Sequence, residues 1–204
     1  MTPDRTMLVL LAAGRSLRFG AQDKLAADFL GQPLAMHVVT ALEDAAFLDR
    51  VAITSGTTLD FAARGYRVIA NPAPDKGLSG SVRLGVAAAQ AAGASAMLIV
   101  LADMPRVTLA QVLRLLDACR DNEAVVASSD GVRASPPAVF AAGRFAALAE
   151  ATGDEGGRAM IRAGIHVVTS PEELIDIDTP EDLARLRGGG EQTFLHPSPE
   201  GEGL

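Results

Sequence analysis

The chain has 204 residues, of which 49% are hydrophobic and 21% charged, a composition typical of a folded domain with a substantial core. A formal net charge of −7 and an aromatic content of 4% argue against non-specific nucleic-acid binding, which depends on basic patches and stacking rings. The single cysteine, Cys119, excludes an internal disulfide. No apolar run approaches membrane-spanning length, and the first residues lack a signal-peptide pattern, so we expect a cytoplasmic protein without a membrane partner.

Strand-like and helical patterns alternate along the chain. Apolar runs predict strands at 7–10, 51–54, 67–70, 97–101, 124–127, 138–140 and 166–168. Helical spacing and start signals, with Thr108 and Thr179 as N-caps, predict helices at about 34–46, 79–92, 108–120, 143–150, 156–163 and 180–187. This alternation predicts an α/β fold with a mainly parallel central sheet and helices on both faces.

One domain is predicted over residues 1–187. The residues that follow, 188–204, begin with three glycines and contain a Pro-Ser-Pro segment, a composition that favours a disordered tail. No internal repeat and no linker between domains is visible. In an α/β domain of this kind, ligands bind beyond the carboxyl ends of the strands.

A short cationic loop follows the first predicted strand. Gly14 lets a phosphate approach the backbone, and Arg15, Arg18 and Lys24 add positive charge beside the strand end. The loop is neither a Walker A motif nor a dinucleotide-binding glycine motif. We interpret it as a phosphate-binding loop; the alternative is an ordinary strand-to-helix turn with exposed arginines.

Two segments place carboxylates where a divalent metal ion could meet phosphate oxygens. Asp103 lies just past the end of the most apolar predicted strand and two residues before Pro105, a place from which a carboxylate can hold a metal ion. Its alternative role is to cap the next turn. Asp176 and Asp178 alternate with isoleucines, which predicts a short strand with both carboxylates on one face. Asp178 also precedes a Thr-Pro helix start, so its alternative role is in a helix-entry turn.

A third segment, rich in glycine and serine, opens the longest predicted helix. Ser79, Gly80 and Ser81 lie in it, and the N–H groups at a helix start favour anions. Small hydroxyl side chains can also bind a base or a ribose. The alternative, compatible with a ligand role, is that Ser79 or Ser81 is simply the helix N-cap.

Four motifs in one order resemble a known family. They are Leu-x-Ala-Gly-x-Ser-x-Arg-Phe-Gly with Asp-Lys-Leu, then Gly-Leu-Ser-x-Ser, then Ala-Asp-Met-Pro, then Asp-Ile-Asp-Thr-Pro-Glu-Asp-Leu. The order is similar to that of the MobA-like NTP transferases, and most similar to their molybdenum cofactor cytidylyltransferase branch, over residues 7–187. The resemblance implies a Rossmann-like three-layer nucleotidyltransferase fold with a mainly parallel central sheet, and a reaction that uses Mg2+.

The resemblance also implies roles for individual residues. Arg18, Lys24 and Asp103 would be catalytic, and Asp103 and Asp178 would hold Mg2+. The nucleotide would contact Leu11, Ala12, Ala13, Gly14, Arg15, Ser16, Arg18, Lys24, Ser79, Gly80 and Ser81. The segment 153–158 is similar to that branch's Gly-Asp-x-Gly-Ala-Arg, which implies that Asp154 and Arg158 face the acceptor.

The implied reaction moves a nucleoside monophosphate from an NTP, with CTP favoured, to a phosphorylated small-molecule acceptor, with molybdopterin favoured, and releases pyrophosphate. A molybdoenzyme is an expected transient partner. Residues 135–137, Ser-Pro-Pro, depart from the Gly-His-Pro that is frequent in that branch, which leaves the acceptor and the choice between CTP and GTP open. Alternatives are a GTP-using or sugar-phosphate nucleotidyltransferase and a non-catalytic protein that delivers the molybdenum cofactor.

Overall fold

Strands and helices alternate along the computed structural model, which describes residues 1–14, 19, 23–151 and 155–188. The strands are β1 (Thr6–Ala12), β2 (Asp28–Phe29), β3 (Gln32–Pro33), β4 (Asp49–Thr54), β5 (Arg67–Ala70), β6 (Ala96–Leu101), β7 (Val125–Ser129), β8 (Ala134–Ala141) and β9 (Ile165–Val168). The helices are α1 (Leu34–Ala41), α2 (Leu78–Ala91), α3 (Leu109–Ala118), α4 (Phe145–Glu150), α5 (Glu155–Ala163) and α6 (Pro180–Gly188). Within this part of the chain, no helix is long and apolar enough to cross a membrane.

Seven of the strands form one sheet in the order β5-β4-β1-β6-β8-β7-β9. All neighbours pair in parallel except those of β8, which runs antiparallel to both β6 and β7. The remaining two strands, β2 and β3, form a separate short hairpin. The mainly parallel sheet predicted from the sequence is therefore confirmed, with one antiparallel strand that the pattern of apolar runs did not reveal.

The two faces of the sheet carry separate hydrophobic cores. Along β1, Leu8 and Leu10 pack on the side of α1 and α3, whereas Met7, Val9 and Leu11 pack on the side of α2, α4 and α5. Successive strand residues point to opposite faces, so a fully apolar strand must be covered on both sides. The result is the three-layer α/β architecture that the family resemblance implied.

A third, smaller cluster lies beside the sheet. It joins the β2–β3 hairpin, the start of α1 and α6 through Phe19, Phe29, Leu34, Ile177, Leu183 and Leu186. The hairpin strands have two residues each, too short for a period-two pattern to stand out in the sequence. This cluster anchors the segment that carries Asp176 and Asp178.

Two predicted elements differ in the structure. Helix α1 ends at Ala41 and not at residue 46. Turns follow it, and the Arg50 guanidinium binds the carbonyl oxygens of Glu43 and Ala45 in them at 2.6 and 2.5 Å. The short strand predicted at 175–178 is wrong, since this segment pairs with no strand. The predicted N-cap at Thr108 is confirmed: its hydroxyl accepts the Gln111 N–H at 3.1 Å.

Helix α2 approaches β1 closely at Gly85. A Cβ at this position would lie 2.8 Å from Val9 Cγ1, closer than packed carbons come. We expect Gly85→Ala to lower the free energy of unfolding by about 1–3 kcal/mol, since overpacking outweighs the better helix propensity of alanine. Urea denaturation measures the change.

Gly157→Ala is the control. Its Cβ would meet only Leu148 Cδ1 among the described residues, at 3.7 Å, an ordinary contact. We expect this variant to be no less stable than the parent, and by up to about 1 kcal/mol more stable. Equal stability of the Gly85 variant and the parent would contradict the tight packing of α2 on β1.

Candidate active site

A buried ammonium lies between two carboxylates at the carboxyl edge of the sheet. Lys24 Nζ is 2.7 Å from Asp103 Oδ2 and 3.4 Å from Asp178 Oδ1. The Lys24 side chain is 7% exposed, that of Asp103 22% and that of Asp178 48%. The three residues come from the turn after β1, the end of β6 and the segment before α6, so the fold brings together three of the predicted site residues.

The Asp23 side chain fixes the backbone conformation at Lys24 through hydrogen bonds. One of its carboxylate oxygens accepts the Leu25 N–H at 3.0 Å, which caps the short 3₁₀ turn Lys24–Ala26. The other accepts the Thr57 hydroxyl at 2.6 Å and so ties this turn to the loop after β4. Sequence reasoning assigned Asp23 no role, although it stands beside Lys24 in the motif.

A main-chain hydrogen bond sets Asp178 beside Asp103. The Ile177 N–H donates to the Asp103 carbonyl oxygen at 3.0 Å, and the Ile177 side chain is fully buried in the third cluster. Helix α6 then begins with a reciprocal cap: Asp182 accepts the Thr179 N–H at 2.9 Å, and the Thr179 hydroxyl accepts the Asp182 N–H at 3.1 Å. The helix start predicted at Thr179 is confirmed.

Asp176 adds a third carboxylate to this edge. Desolvation raises its pKa, and the nearby carboxylates of Asp103 and Asp178 raise it further. With all groups ionised, three carboxylates face the single ammonium of Lys24. Such an excess of negative charge attracts a cation, and this residue, quoted in the sequence motif without a role, contributes to it.

The donor set fits a hard divalent cation. Asp103 Oδ1 is buried and has no hydrogen-bond partner among the described residues, whereas its other oxygen binds Lys24. Carboxylate oxygens are the ligands that Mg2+ and Mn2+ take in proteins. No group of three or more metal-ligating side chains converges in the described part of the chain. Mg2+ ordinarily keeps several waters and substrate oxygens as its other ligands, which fits a site of two carboxylates.

The predicted nucleotide-binding residues lie at the same edge of the sheet. Leu11 and Ala12 end β1, and Ala13 and Gly14 follow; no described residue lies within 4 Å of the Gly14 Cβ position. Arg15, Ser16 and Arg18, also predicted to bind nucleotide, lie outside the described residues, and so does Asp154 on the predicted acceptor side. Arg158, the other predicted acceptor residue, lies in the first turn of α5.

Helix α2 presents its first turn to this edge. It begins at Leu78, directly after Gly77, whose φ of +83° is a conformation that favours glycine. Ser79, Gly80 and Ser81 therefore lie within the helix, and an N-cap role for either serine is wrong. Asn71, which follows β5, donates to Ser81 Oγ at 3.0 Å and is itself buried, a partner that no sequence signal pointed to.

Two neighbouring depressions lie along the end of β6. One is an apolar recess of about 110 Å3 between α2, α4 and α5, and the other is a cleft of about 820 Å3 beside Asp176, lined by both polar and apolar side chains. They share the lining residues Leu101, Pro136, Arg158 and Ile161. These four residues therefore border both depressions.

The wall between them is a bulge in β8. The pairing of β7 with β8 shifts register between Ala127 and Ser128, which leaves Pro136 and Pro137 outside the ladder. The Ser128 hydroxyl donates to the Pro137 carbonyl at 3.1 Å, and Gln111 Nε2 donates to Ser128 Oγ at 3.0 Å. Gln111 and Ser128 are fully buried. Sequence reasoning missed both, since residues distant in sequence form this chain of hydrogen bonds.

Comparison with known proteins places these residues in a family. The model of the MobA-like NTP transferase domain matches residues 8–169. The chain is 31% identical over 199 residues to the purine catabolism protein PucB of Bacillus subtilis, covering 88% of this chain and 94% of that one. It is 28% identical over 187 residues to a molybdenum cofactor guanylyltransferase of Shewanella frigidimarina, covering 87% and 93%.

A solved structure agrees on the fold. A nucleotidyl transferase from Methanothermobacter superimposes with a TM-score of 0.75 at 21% identity, over 91% of this chain and 97% of that one. The family match spans most of the strands and helices described above and includes Lys24 and Asp103. The chain is a nucleotidyltransferase and belongs to the MobA-like NTP transferase family.

Proposed function

We propose that the chain transfers CMP from CTP to a phosphorylated acceptor, molybdopterin cofactor, and releases pyrophosphate in a reaction that depends on Mg2+. The observation that carries the proposal is the meeting of Lys24, Asp103 and Asp178 at the carboxyl edge of the sheet. In open α/β sheets this edge is where ligands bind. A cation and several carboxylates at one point suit a triphosphate that arrives with a metal ion.

The backbone around 12–14 and the ammonium of Lys24 bind the triphosphate in this proposal. Backbone N–H groups after a strand can point at phosphate oxygens, and Lys24 supplies a point charge with three donors. Its ammonium already lies within 3.4 Å of two carboxylates, so its position is set before substrate binds. Preorganised charge costs no rearrangement in the transition state. Arg18 adds a second cation in the same proposal.

Asp103 and Asp178 hold Mg2+ in the proposed enzyme. When bound, the ion neutralises charge on the phosphate oxygens and helps to hold the triphosphate in place. The buried Oδ1 of Asp103 supports its role as a ligand, because a buried carboxylate oxygen without a partner is otherwise costly. The Ile177–Asp103 main-chain hydrogen bond keeps both carboxylates at this point without help from the ion.

No general base is required for this acceptor. An oxygen of its phosphate group attacks the α-phosphorus of CTP, a new P–O bond forms, the bond to the β-phosphate bridging oxygen breaks, and pyrophosphate leaves. A phosphate monoester is already ionised at neutral pH, so positioning and charge neutralisation account for the catalysis. Ser79, Gly80 and Ser81, in the first turn of α2, contact the nucleoside.

GTP is the second candidate nucleotide. Its support is the similarity to the Shewanella frigidimarina protein, which is named a molybdenum cofactor guanylyltransferase. The first experiment measures pyrophosphate release from each of the four NTPs with Mg2+, with and without molybdopterin. Release from CTP that requires molybdopterin supports the proposal, and release from GTP supports the second candidate. Turnover of hexose 1-phosphates indicates a sugar-phosphate enzyme, and tight NTP binding without release indicates a delivery protein.

We expect Asp103→Asn and Asp178→Asn each to lower kcat at least about 100-fold, because each removes one charge from the proposed metal site while keeping the side-chain shape. Steady-state pyrophosphate release at fixed Mg2+ measures the effect. Asp117→Asn, an exposed change on α3 next to Arg120, is the matched control and should retain full activity. Full activity in both site variants would remove the metal model.

We expect Lys24→Met to weaken NTP binding by roughly 10- to 100-fold, the value of a lost charge-assisted hydrogen bond to phosphate. Calorimetry with Mg2+ and CTP measures this affinity without turnover. An unchanged affinity for CTP would show that Lys24 has no contact with the triphosphate.

A further inference from the structure

The segment between β9 and α6 crosses the carboxyl edge of the sheet. It leaves β9 at Thr169, whose N–H still bonds to the Ser129 carbonyl of β7 at 2.9 Å, and it reaches Asp103 at Ile177. In the order of the sheet, β9 is the third strand from β6, and neighbouring strands lie about 4.8 Å apart, so the crossing covers about 14 Å. Residues 169–177, the crossing segment, could extend to about 27 Å. Contacts, and not chain length, therefore fix its course.

The carboxylate of Glu173 anchors the middle of the crossing segment. It lies in the short 3₁₀ turn Pro171–Leu174, and its side chain is 23% exposed. Its Oε1 accepts the Thr108 hydroxyl at 2.8 Å, and its Oε2 accepts the Thr169 hydroxyl. Arg114, on α3, donates to Thr169 Oγ1 at 3.1 Å and lies 3.8 Å from Glu173 Oε2. Both carboxylate oxygens are therefore engaged, one by the start of α3 and the other by the end of β9.

The partners of Glu173 stabilise its ionised form. Desolvation raises the pKa of this carboxyl, but the hydroxyl groups of Thr169 and Thr108 and the charge of Arg114 outweigh it, and the pKa is lowered. Hydrogen bonds to an ionised group are stronger than those between neutral groups. The Thr108 hydroxyl gives its one proton to Glu173 and accepts the Gln111 N–H, so it serves the carboxylate and the helix cap together.

The Glu173–Thr108 contact bears on the candidate site because Thr108 and Asp103 belong to one loop. This loop leads from β6 to α3, and the crossing segment is bonded to it twice. The Ile177 N–H donates to the Asp103 carbonyl at 3.0 Å, and the Thr108 hydroxyl donates to Glu173 at 2.8 Å. The stretch from Asp103 to Thr108 and the stretch from Glu173 to Ile177 therefore form a closed ring with a hydrogen bond at each end.

The ring contains or adjoins all three carboxylates at this edge of the sheet. Asp103 is one of its corners, Asp176 lies within it, and Asp178 follows it directly. Between the two hydrogen bonds, Leu174 packs against the core on the side of α1 and α3, and Ile175 packs against the third cluster. Without the Glu173 bonds, the ring opens at one end while the Ile177 bond and this packing remain. The expected result is a shift of the carboxylates and not unfolding.

We propose that Glu173 is a positioning residue of the metal site, which acts through the ring to fix Asp176 and Asp178 relative to Asp103. The inference rests on the proposed function, since that proposal places a divalent cation at Asp103 and Asp178. Glu173 itself does not contact the cation. Groups that hold metal ligands from behind typically change metal affinity or activity by about 10- to 100-fold when they are removed.

Mn2+ binding to the protein without nucleotide tests the proposal, and electron paramagnetic resonance of the free ion measures this affinity without turnover. We expect Glu173→Gln to weaken Mn2+ binding about tenfold, because the amide keeps the shape but its NH2 group cannot accept from one of the two hydroxyls. Glu172→Gln is the matched control, since it removes the same charge from the neighbouring, exposed position of the same turn. This control should change the affinity less than about twofold. Equal effects of the two variants would overturn the proposal.

Thr169 allows a second test that changes no charge. Thr169→Val keeps the shape of the side chain and removes the hydroxyl that donates to Glu173. We expect this variant to weaken Mn2+ binding several-fold, and we expect Thr169→Ser, which keeps the hydroxyl, to bind Mn2+ as the parent does. Urea denaturation of each variant shows that it is folded. A folded Thr169→Val variant with the Mn2+ affinity of the parent would also overturn the proposal.

Failure of the inference and failure of the proposed function give different results. In pyrophosphate release, Glu173→Gln should raise the Mg2+ concentration for half-maximal rate about tenfold and leave the KM for CTP at saturating Mg2+ unchanged. If CTP and molybdopterin give pyrophosphate but Glu173→Gln binds Mn2+ as the parent does, the reaction stands and the inference fails. If a different nucleotide or acceptor is used but Glu173→Gln and Thr169→Val both weaken Mn2+ binding, the positioning role stands and the proposed function changes. Absence of Mn2+ binding to the unmodified protein would contradict both.

Discussion

A buried ammonium needs carboxylates close to it, and this requirement joins three distant parts of the chain. Lys24 is 6% exposed, and moving its charge out of water costs several kcal/mol unless anions offset the loss. Asp103 and Asp178 supply the offset, from the end of β6 and the segment before α6. The turn after β1, the end of the central strand and the segment before the last helix therefore meet at this ion-paired ammonium, and the proposed function assigns the chemistry to the same groups.

Hydrogen bonds and packing outside the ion pairs also hold the three charged residues in place. Ile177 is bonded to the Asp103 carbonyl and buried in the third hydrophobic cluster, so the two carboxylates stay adjacent even when one is neutralised. Asp23 likewise fixes the position of Lys24, because its carboxylate accepts hydrogen bonds from the Leu25 N–H and the Thr57 hydroxyl. Neutral substitutions at Asp103 and Asp178 therefore leave these main-chain contacts in place.

The antiparallel strand shapes the opposite side of the site. Because β8 runs against the other strands, its first residues lie at the carboxyl edge, where parallel strands end. Proline has no N–H to give to a ladder, so two prolines in succession favour a bulge there. Ser128 and Gln111 satisfy the carbonyl that the bulge leaves out of the ladder. The bulge lies between the larger cleft, whose lining is both polar and apolar, and the apolar recess.

The sequence by itself determined the parts of the protein that local pattern controls. Continuous apolar runs identified the sheet strands, Thr108 and Thr179 identified two helix starts, and the motif order identified the family and pointed to Lys24, Asp103 and Asp178. These features depend on neighbours a few residues away, or on the order of motifs along the chain. The sequence did not predict the β2–β3 hairpin, because strands of two residues are too short to show an alternating pattern of apolar and polar residues.

Only the tertiary structure decided the rest. It put Asp23 and Asn71 behind the site, turned β8 antiparallel, and joined Gln111, Ser128 and Pro137 into one buried hydrogen-bonded chain. It also replaced the strand predicted at 175–178 by a segment bonded to the Asp103 carbonyl. Each of these depends on residues that are far apart in sequence and come together on folding, and burial then makes their hydrogen bonds and charges interdependent.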